Sequence, residues 1–232
     1  MSAKGSRAMP GDSRAVRIEG PEDFAEVFKV PRETIHRLAR YADLLALWQK
    51  SKNLVAPSTL PALWSRHFAD SAQLCALAPD ARLWLDLGSG AGFPGLVVAI
   101  IESDRPHFRM HLVESNGKKC AFLAEVARAT AAPVDIHAMR IEELAESAEP
   151  LRPDVVSARA LAPLPRLLDL ATPFFGPKTR GLFLKGRDAE AEIAAARTRF
   201  DFGCRVYPSI TAKDSCIVAV TDLRRKRETG AP

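Results

Sequence analysis

Apolar residues in the first third of the chain recur at helical spacing. From Pro31 onward they fall at steps of three and four residues, which predicts an amphipathic helix ending near Asn53. This first set consists of Ile35, Leu38, Ala42, Leu45 and Trp48. Ser58 is a suitable N-cap for a second set, which continues through two short helical segments up to Pro79. We therefore expect a helical region at residues 21–79, preceded at 1–20 by a disordered tail rich in Ser, Gly and charge.

After residue 80, short apolar runs alternate with helical stretches, which is the pattern of βαβ units around a parallel sheet. The predicted strands are Leu83–Leu87, Phe108–Val113, Val134–His137, Val155–Ala158 and Leu182–Lys185. The predicted helices begin near Pro94, Gly117, Ile141, Pro163 and Asp188. Two more strand-like runs, Arg205–Ile210 and Cys216–Thr221, follow with no helix between them. The expected fold is an α/β domain at 80–222, in which an antiparallel hairpin closes a parallel sheet, with a basic tail at 223–232.

Positive charge is concentrated at the two ends of the chain. The 232 residues carry a net charge of +5, and the first twenty and the last twelve supply +2 each. The basic residues of the C-terminal end are Arg224, Arg225, Lys226 and Arg227. A pI near 9.2 favours a polyanionic partner such as RNA, whereas basic ends of this kind are often only solvated.

Composition excludes several other classes of protein. The longest apolar run, Leu96–Ile101, has six residues, far short of the roughly 18 to 20 that a membrane span needs. No apolar stretch follows the basic residues of the N-terminus, so a secretory signal is not expected. The four cysteines are widely spaced, without a C-x-x-C pair, which fits neither a zinc site nor a disulfide framework. We expect a cytoplasmic protein, monomeric and without a metal or a membrane partner.

A glycine-rich turn follows the first predicted strand. Residues 86–95 read D-L-G-S-G-A-G-F-P-G, and a helix is predicted directly afterwards. Glycines at this turn allow a ligand to approach the backbone, and the helix N-terminus presents free amides. Gly90, Gly92 and Gly95 also satisfy the dinucleotide pattern G-x-G-x-x-G, so the pattern predicts a nucleotide-like ligand without identifying it.

Electrostatics distinguishes two possible ligands. Asp86 would place a carboxylate near the pyrophosphate of a dinucleotide, whereas it would attract the ammonium and sulfonium groups of S-adenosylmethionine. Asp86 therefore favours the methyl donor. Glu114 ends the second predicted strand, where its carboxylate can accept hydrogen bonds from the ribose hydroxyls of either ligand.

Several separated motifs, in order along the chain, resemble those of one methyltransferase family. They are Trp48 with Asn53-Leu54, Arg66-His67-Phe68-Ala69-Asp70-Ser71, the glycine turn with its Pro-Gly ending, Ser115 with Lys118-Lys119 and Phe122-Leu123, Arg140-Ile141-Glu142-Glu143, Ala158-Arg159-Ala160 and Leu184-Lys185-Gly186. From Trp48 to Lys185 the chain is similar to the RsmG/GidB family. Gln49 and Val55 depart from it, because they stand where the family has Asn and Thr.

This resemblance implies a class I S-adenosylmethionine-dependent methyltransferase with a Rossmann-like sheet. It also implies methylation of N7 of a guanine, position 527 in the 530 loop, of 16S ribosomal RNA, as free RNA or in the small subunit. By this resemblance, the cofactor site would include Gly88, Phe93, Glu114, Ile141, Glu142 and Arg159. The charge of Asp86 and the open backbone of the glycine turn add Asp86, Gly90 and Gly92 to this set. RNA contacts are expected at Lys185 and at the basic residues 224–227.

Some of these residues have alternative structural roles. Ile141 could be a core residue, Glu142 a solvated first-turn carboxylate, and Arg159 a member of a structural ion pair. His67 and Asp70 could form an acid/base pair, but a hydrogen bond that packs the helix is the favoured interpretation.

The expected reaction needs no general base. Guanine N7 has a free lone pair and no proton to lose, so we assign positioning to Arg159 and no general base to the site. Two rival classes are a nicotinamide-dependent oxidoreductase and a noncatalytic RNA-binding protein. The first would want a proton donor after the later strands, and the second would be expected to lose Asp86 or the glycines.

Overall fold

The computed structural model describes residues 17–147 and 151–227, and a seven-stranded sheet forms its centre. The strands are β1 Leu83–Leu87, β2 Arg109–Val113, β3 Val134–His137, β4 Val155–Arg159, β5 Arg180–Lys185, β6 Phe200–Pro208 and β7 Cys216–Arg225. Their order is β3-β2-β1-β4-β5-β7-β6; the first five are parallel, and β7 lies antiparallel to both β5 and β6. The predicted α/β fold with an antiparallel hairpin is confirmed.

Eight α-helices surround the sheet in the described ranges. They are α1 Pro21–Phe28, α2 Arg32–Gln49, α3 Asp70–Leu77, α4 Gly95–Ile101, α5 Gly117–Thr130, α6 Ile141–Ala145, α7 Leu164–Ala171 and α8 Ala189–Arg197. Short 3-10 helices occupy Pro57–Ala62 and Thr172–Phe174, and a π-helix occupies Trp64–Ala69. Local chemistry explains the limits: α5 begins at Gly117 because the Asn116 side chain accepts the amides of Lys118 and Lys119.

Several predicted boundaries are wrong. The helix α2 stops at Gln49, because the Gln49 side chain accepts the amides of Leu54 and Val55 and turns the chain. The hairpin strands are longer than predicted, since β6 starts at Phe200 and β7 continues through Arg225. Arg224 and Arg225 therefore belong to a strand and not to a tail.

Ordered structure also begins earlier than Pro21. Ile18, which the sequence placed in a disordered tail, is buried in the core, while residues 1–16 and 228–232 lie outside the described residues. Among the described residues, no helix combines the length and apolar character needed to cross a bilayer.

The core consists of two apolar clusters. The first contains Leu38 and Tyr41 of α2 together with Leu96, Ile100 and Phe122 of α4 and α5. The second contains residues of α7 and of the strands, such as Leu168 and Phe183. The N-terminal helices thus share a core with the sheet, and the division of the chain at residue 80 stays a prediction.

Strand order fixes where a ligand can bind. The chain runs outward from β1 to β2 and β3 on one side, then returns to place β4 on the other side of β1. In open α/β sheets, ligands bind beyond the carboxyl ends of the strands at such a reversal of strand order.

Candidate functional site

A cleft of about 850 Å³ opens at the carboxyl ends of β1, β4 and β5. Its walls come from the glycine turn, from the segment around the π-helix, and from the residues that follow β4 and β5. Among the predicted site residues, Gly88, Gly90, Phe93, Arg159 and Lys185 line it. Its volume is in the usual range for small-molecule sites, about 300 to 1,000 Å³.

Positive backbone φ angles shape the glycine turn. Gly88 has a φ of 65°, and a Cβ there would lie 2.5 Å from Cδ1 of Leu161. Gly90 has a φ of 57°, but a Cβ there would meet nothing closer than the Gly88 carbonyl oxygen at 3.8 Å. Gly88 is therefore required by packing, whereas Gly90 leaves open space on the cleft side.

Asp86 lies beneath this turn and is fully buried. Its Oδ1 accepts a hydrogen bond from Ser157 Oγ at 2.8 Å, while Oδ2 faces the Gly95 backbone and lacks a hydrogen bond of good geometry within the described residues. Burial raises the pKa of Asp86 to about 6, although the hydrogen bonds and Arg159 oppose this shift. A buried carboxylate with one unsatisfied oxygen would be stabilised by a cationic ligand.

Glu114 supports the turn from the end of β2. Its Oε2 accepts the Gly90 amide at 2.9 Å, and its Oε1 accepts the Asn116 amide at 2.8 Å. Glu114 is buried, and through these two hydrogen bonds it ties the glycine turn to the start of α5.

Asp86 and Glu114 do not line the cleft, and neither do three other predicted cofactor residues. Gly92 packs against Leu96 and Tyr41. Ile141 is buried in the second apolar cluster, and Glu142 forms an ion pair with Arg166 at 2.8 Å. The cleft therefore gathers predicted residues of the glycine turn and of the ends of β4 and β5, and not those at the start of α6.

An aromatic group fixes Phe93 at the cleft wall. The Phe93 ring stacks on Tyr41 with centroids 5.3 Å apart, and the Tyr41 hydroxyl donates to the carbonyl of Ala91. Tyr41 belongs to α2, so the N-terminal helices position the glycine turn. The sequence indicated Tyr41 only as one more position within a predicted helix.

Arg159 ends β4 and is held on several sides. Its guanidinium lies 4.8 Å from the centroid of the Phe93 ring and donates to the Arg66 carbonyl at 3.0 Å and to His67 Nδ1 at 2.6 Å. Burial, followed by the charges of Arg159 and Arg66, lowers the pKa of His67 to about 3.

The predicted hydrogen bond between His67 and Asp70 is wrong. His67 contacts Arg159 and Thr59, whereas Asp70 Oδ1 accepts hydrogen bonds from Gln73, Ser209 and Thr211. Burial raises the pKa of Asp70 despite the nearby Arg159. The two side chains diverge because His67 belongs to the π-helix and Asp70 starts α3.

The cleft contains four basic side chains, two of which the sequence did not single out as site residues. Arg66 and Lys119 line the cleft and form no side-chain hydrogen bond or ion pair within residues 17–147 and 151–227. Both stand in motifs that the sequence shares with the RsmG/GidB family, and that was the available indication of their role. Lys185, by contrast, is already paired with Glu192 at 2.6 Å and donates to the Ala162 carbonyl at 2.9 Å.

The basic residues at 224–227 lie at the opposite end of β7. Cys216 begins β7 and lines the cleft, and nine residues of strand at about 3.3 Å each place Arg225 about 30 Å away. Arg225 pairs with Asp169, and Lys226 with Asp201 at 3.7 Å.

Comparison with known proteins gives consistent matches. The family described as "GidB: rRNA small subunit methyltransferase G" matches residues 34–215. "Ribosomal RNA small subunit methyltransferase G" of Parvibaculum lavamentivorans is 52% identical over 208 residues, covering 89% of this chain and 91% of that protein. The protein of the same name from Bradyrhizobium sp. strain ORS 278 is 44% identical over 220 residues, covering 94% and 99%.

Solved structures match the fold. An O-methyltransferase from Bacillus cereus in complex with SAH aligns with a TM-score of 0.60 at 13% identity, covering 87% of this chain and 96% of that chain. Cofactor-bound Rv0187 aligns with a TM-score of 0.55 at 14% identity, covering 80% and 89%. At such identities the likeness is one of fold.

Proposed function

Because the chain belongs to the rRNA small subunit methyltransferase G family, we propose that it transfers a methyl group from S-adenosylmethionine to N7 of a guanine, position 527, in 16S ribosomal RNA. The observation that carries this proposal is the family match over residues 34–215, which includes every wall of the cleft except Cys216. A nicotinamide oxidoreductase and a noncatalytic RNA-binding protein, the two rival classes, have no support from these matches. An rRNA substrate favours a cytoplasmic location, and the monomeric state stays a prediction.

The cleft fits S-adenosylmethionine. The open space beside Gly90 admits a ligand close to the backbone, and the unsatisfied oxygen of Asp86 lies beneath the same turn. The cofactor, when bound, supplies an electrophilic methyl group on a sulfonium centre. Its positive charge suits a buried carboxylate in a way that a pyrophosphate does not.

We assign the individual contacts as follows. Gly88 and Gly90 admit the ligand to the loop, Phe93 forms an apolar wall, and Glu114 keeps the loop in place beside the ribose. Asp86 balances the positive charge of the donor through the loop. Ile141 and Glu142 stay predictions for the adenine end, because they follow β3 at the same edge of the sheet but outside the cleft wall.

Base-free transfer suits the titratable groups around Arg159. His67 is neutral and uses both ring nitrogens in hydrogen bonds, and Asp70 is engaged by three donors. Neither is free to take a proton, and N7 has none to give. Arg159 is left to hold the guanine or an adjacent phosphate in line with the methyl group, and positioning of this kind can contribute up to about 7 to 11 kcal/mol.

Arg66 and Lys119 are the strongest candidates for RNA contacts at the cleft, because each has a free charge at its wall. Lys185 would have to exchange its contact with Glu192 for one with RNA. Residues 224–227 could contact only RNA that extends about 30 Å from the cleft.

The test is methyl transfer from labelled S-adenosylmethionine to free 16S RNA and to small subunits lacking the modification, with the modified position mapped. We expect one labelled guanine, modified at N7. Label at another position, or none in either substrate, contradicts the proposal.

A further inference from the structure

A chain of hydrogen bonds leads from Arg159 into the opposite wall of the cleft. Arg159 donates to His67 Nδ1 at 2.6 Å, His67 Nε2 lies 2.8 Å from Thr59 Oγ1, and Thr59 Oγ1 donates to the Ala56 carbonyl at 2.7 Å. We propose that His67 is a positioning residue, which orients Arg159 by accepting a hydrogen bond and takes no part in proton transfer. Its consequence for catalysis rests on the proposed function.

The partners of His67 determine its tautomer. A guanidinium has only N–H donors, so Nδ1 must act as the acceptor and the ring proton must be on Nε2. The Thr59 hydroxyl already donates to Ala56, which leaves its oxygen free to accept that proton. Arg159 therefore donates to His67, His67 donates to Thr59, and Thr59 donates to the Ala56 carbonyl. In the other tautomer, the N–H at Nδ1 would face an N–H of the Arg159 guanidinium.

The π-helix supplies the second anchor of Arg159. A π-helix shifts the backbone hydrogen-bond pattern from i→i+4 to i→i+5, and the carbonyl of Arg66, within that helix, accepts from Arg159 at 3.0 Å. The Phe93 ring lies against the same guanidinium. Two of the five guanidinium N–H donors are thus engaged by Arg66 and His67, and the other three form no hydrogen bond within the described residues.

The charges around His67 keep it neutral. Arg159 of β4 and Arg66 of the π-helix both face the imidazole, and burial disfavours its charged form further. The carboxylate of Asp70 interacts with Arg159 and accepts hydrogen bonds from Ser209, Thr211 and Gln73. With its pKa lowered to about 3, the His67 ring is neutral near pH 7, and its Nδ1 can accept the hydrogen bond from Arg159.

Two substitutions distinguish the roles of the two ring nitrogens of His67. In His67→Asn the amide oxygen can occupy the place of Nδ1 and accept from Arg159. In His67→Gln the amide reaches instead toward Thr59, and no acceptor remains at the Nδ1 position. We expect His67→Asn to keep single-turnover methyl transfer within about threefold, and His67→Gln to lose about tenfold or more, the scale of removing a hydrogen bond to a charged group.

Cofactor affinity and folding provide the controls. S-adenosylmethionine affinity should change to a similar extent in the two variants, because His67 also packs against Phe93, with ring centroids 4.8 Å apart, and both substitutions remove that ring contact. His36→Gln, at an exposed position on α2, should behave as wild type. Equal losses in His67→Asn and His67→Gln at matched melting temperatures would overturn the proposal.

The tautomer can be measured without any substrate. Nitrogen-15 NMR of histidine-labelled wild type should show His67 neutral, with the proton on Nε2, from about pH 5 to pH 9. Thr59→Val removes the oxygen that accepts from Nε2 and should weaken this preference. A proton on Nδ1, or a charged ring within that range, would overturn the proposal, whereas wild type that transfers no methyl group contradicts the proposed function alone.

Discussion

Two groups of basic residues lie at opposite ends of the sheet and differ in their surroundings. At the cleft, Arg66 and Lys119 are unpaired in the described ranges and Arg159 is held by neutral acceptors. At the other end, Arg225 is paired with Asp169 on an exposed surface, and Lys226 with Asp201. The C-terminal group is the more conspicuous of the two in the sequence. The basic residues at the cleft, however, lie on a concave, partly desolvated surface, as the residues of a binding site do.

Among the substitutions at the cleft, Gly90→Asp should have the largest effect on cofactor binding. The new side chain would enter the open space beside the loop and bring a second carboxylate to a turn that Glu114 already contacts, so we expect S-adenosylmethionine affinity to fall by about 100-fold or more. Calorimetric titration measures this change. Gly176→Asp, where a Cβ meets only ordinary contacts, should bind normally. Micromolar affinity retained in Gly90→Asp would contradict the cofactor assignment.

Arg159→Lys keeps the positive charge at the cleft and removes the planar array of guanidinium N–H donors, so it separates the effects of these two properties. A lysine cannot donate to His67, to the Arg66 carbonyl and to a substrate in the same fixed geometry. We expect methyl transfer to fall by about 100-fold and cofactor affinity by much less. Wild-type turnover in this variant would rule out positioning by Arg159.

The stability of the cleft end should depend on Asp86. Its pKa is about 6 in the folded protein and near 3.8 when unfolded, so this residue's stabilising contribution is present below about pH 4 and is lost as the pH rises through about 6. This difference in the pKa of Asp86 corresponds to about 3 kcal/mol of folding free energy. Asp86→Asn should recover only part of it, because an amide makes a poorer contact with Gly95 than a carboxyl group does. We expect cofactor-free Asp86→Asn to be more stable than wild type by about 2 kcal/mol at pH 7.5.

Denaturant unfolding at pH 4 and pH 7.5 measures that difference. Most of the advantage of Asp86→Asn should disappear at pH 4, where the wild-type carboxyl is protonated in the folded state and only about half ionised in the unfolded state. An equal advantage at both pH values would mean that the buried charge is not its source. Asp201→Asn, at an exposed carboxylate, should show no such pH dependence.

The pH profile of the reaction should not resemble that of stability. With saturating cofactor, the single-turnover rate should be flat from about pH 6 to 9, because no group titrating there has to lose a proton. A log-rate slope near one across that interval would indicate a general base.

The smallest effect is expected from the basic residues themselves. Replacing Arg66 and Lys119 with Gln should lower the slope of log RNA affinity against log salt by about 0.7 for each phosphate that is no longer neutralised. Replacing Arg224, Arg225, Lys226 and Arg227 with Gln should weaken binding less per residue, because two of the four are already paired. An unchanged slope would mean that the C-terminal group is only solvated, and a larger change than at the cleft would reverse the comparison.

The sequence predicted the sheet well because its strands are short apolar runs between turn signals, and five helix starts agree within one residue. It failed where distant contacts set the limits: β7 runs to Arg225 because β6 pairs with it along its length. The loop and Arg159 were identifiable from spacing and resemblance. Tyr41, Thr59 and the partners of His67 were not, because a π-helix and contacts between residues far apart in the chain leave no periodic pattern.

The shared core has a consequence for the folding of this protein during its synthesis on the ribosome. The first apolar cluster includes Ile18 near the start of the chain and Ile217 in β7, so it is complete only after nearly the whole chain has been made. Until α4 and α5 have been made, the apolar face of α2 lacks the helices against which it packs and is exposed to aggregation or to chaperones. A product of premature termination before α5 would keep part of this face exposed and would be a substrate for quality control.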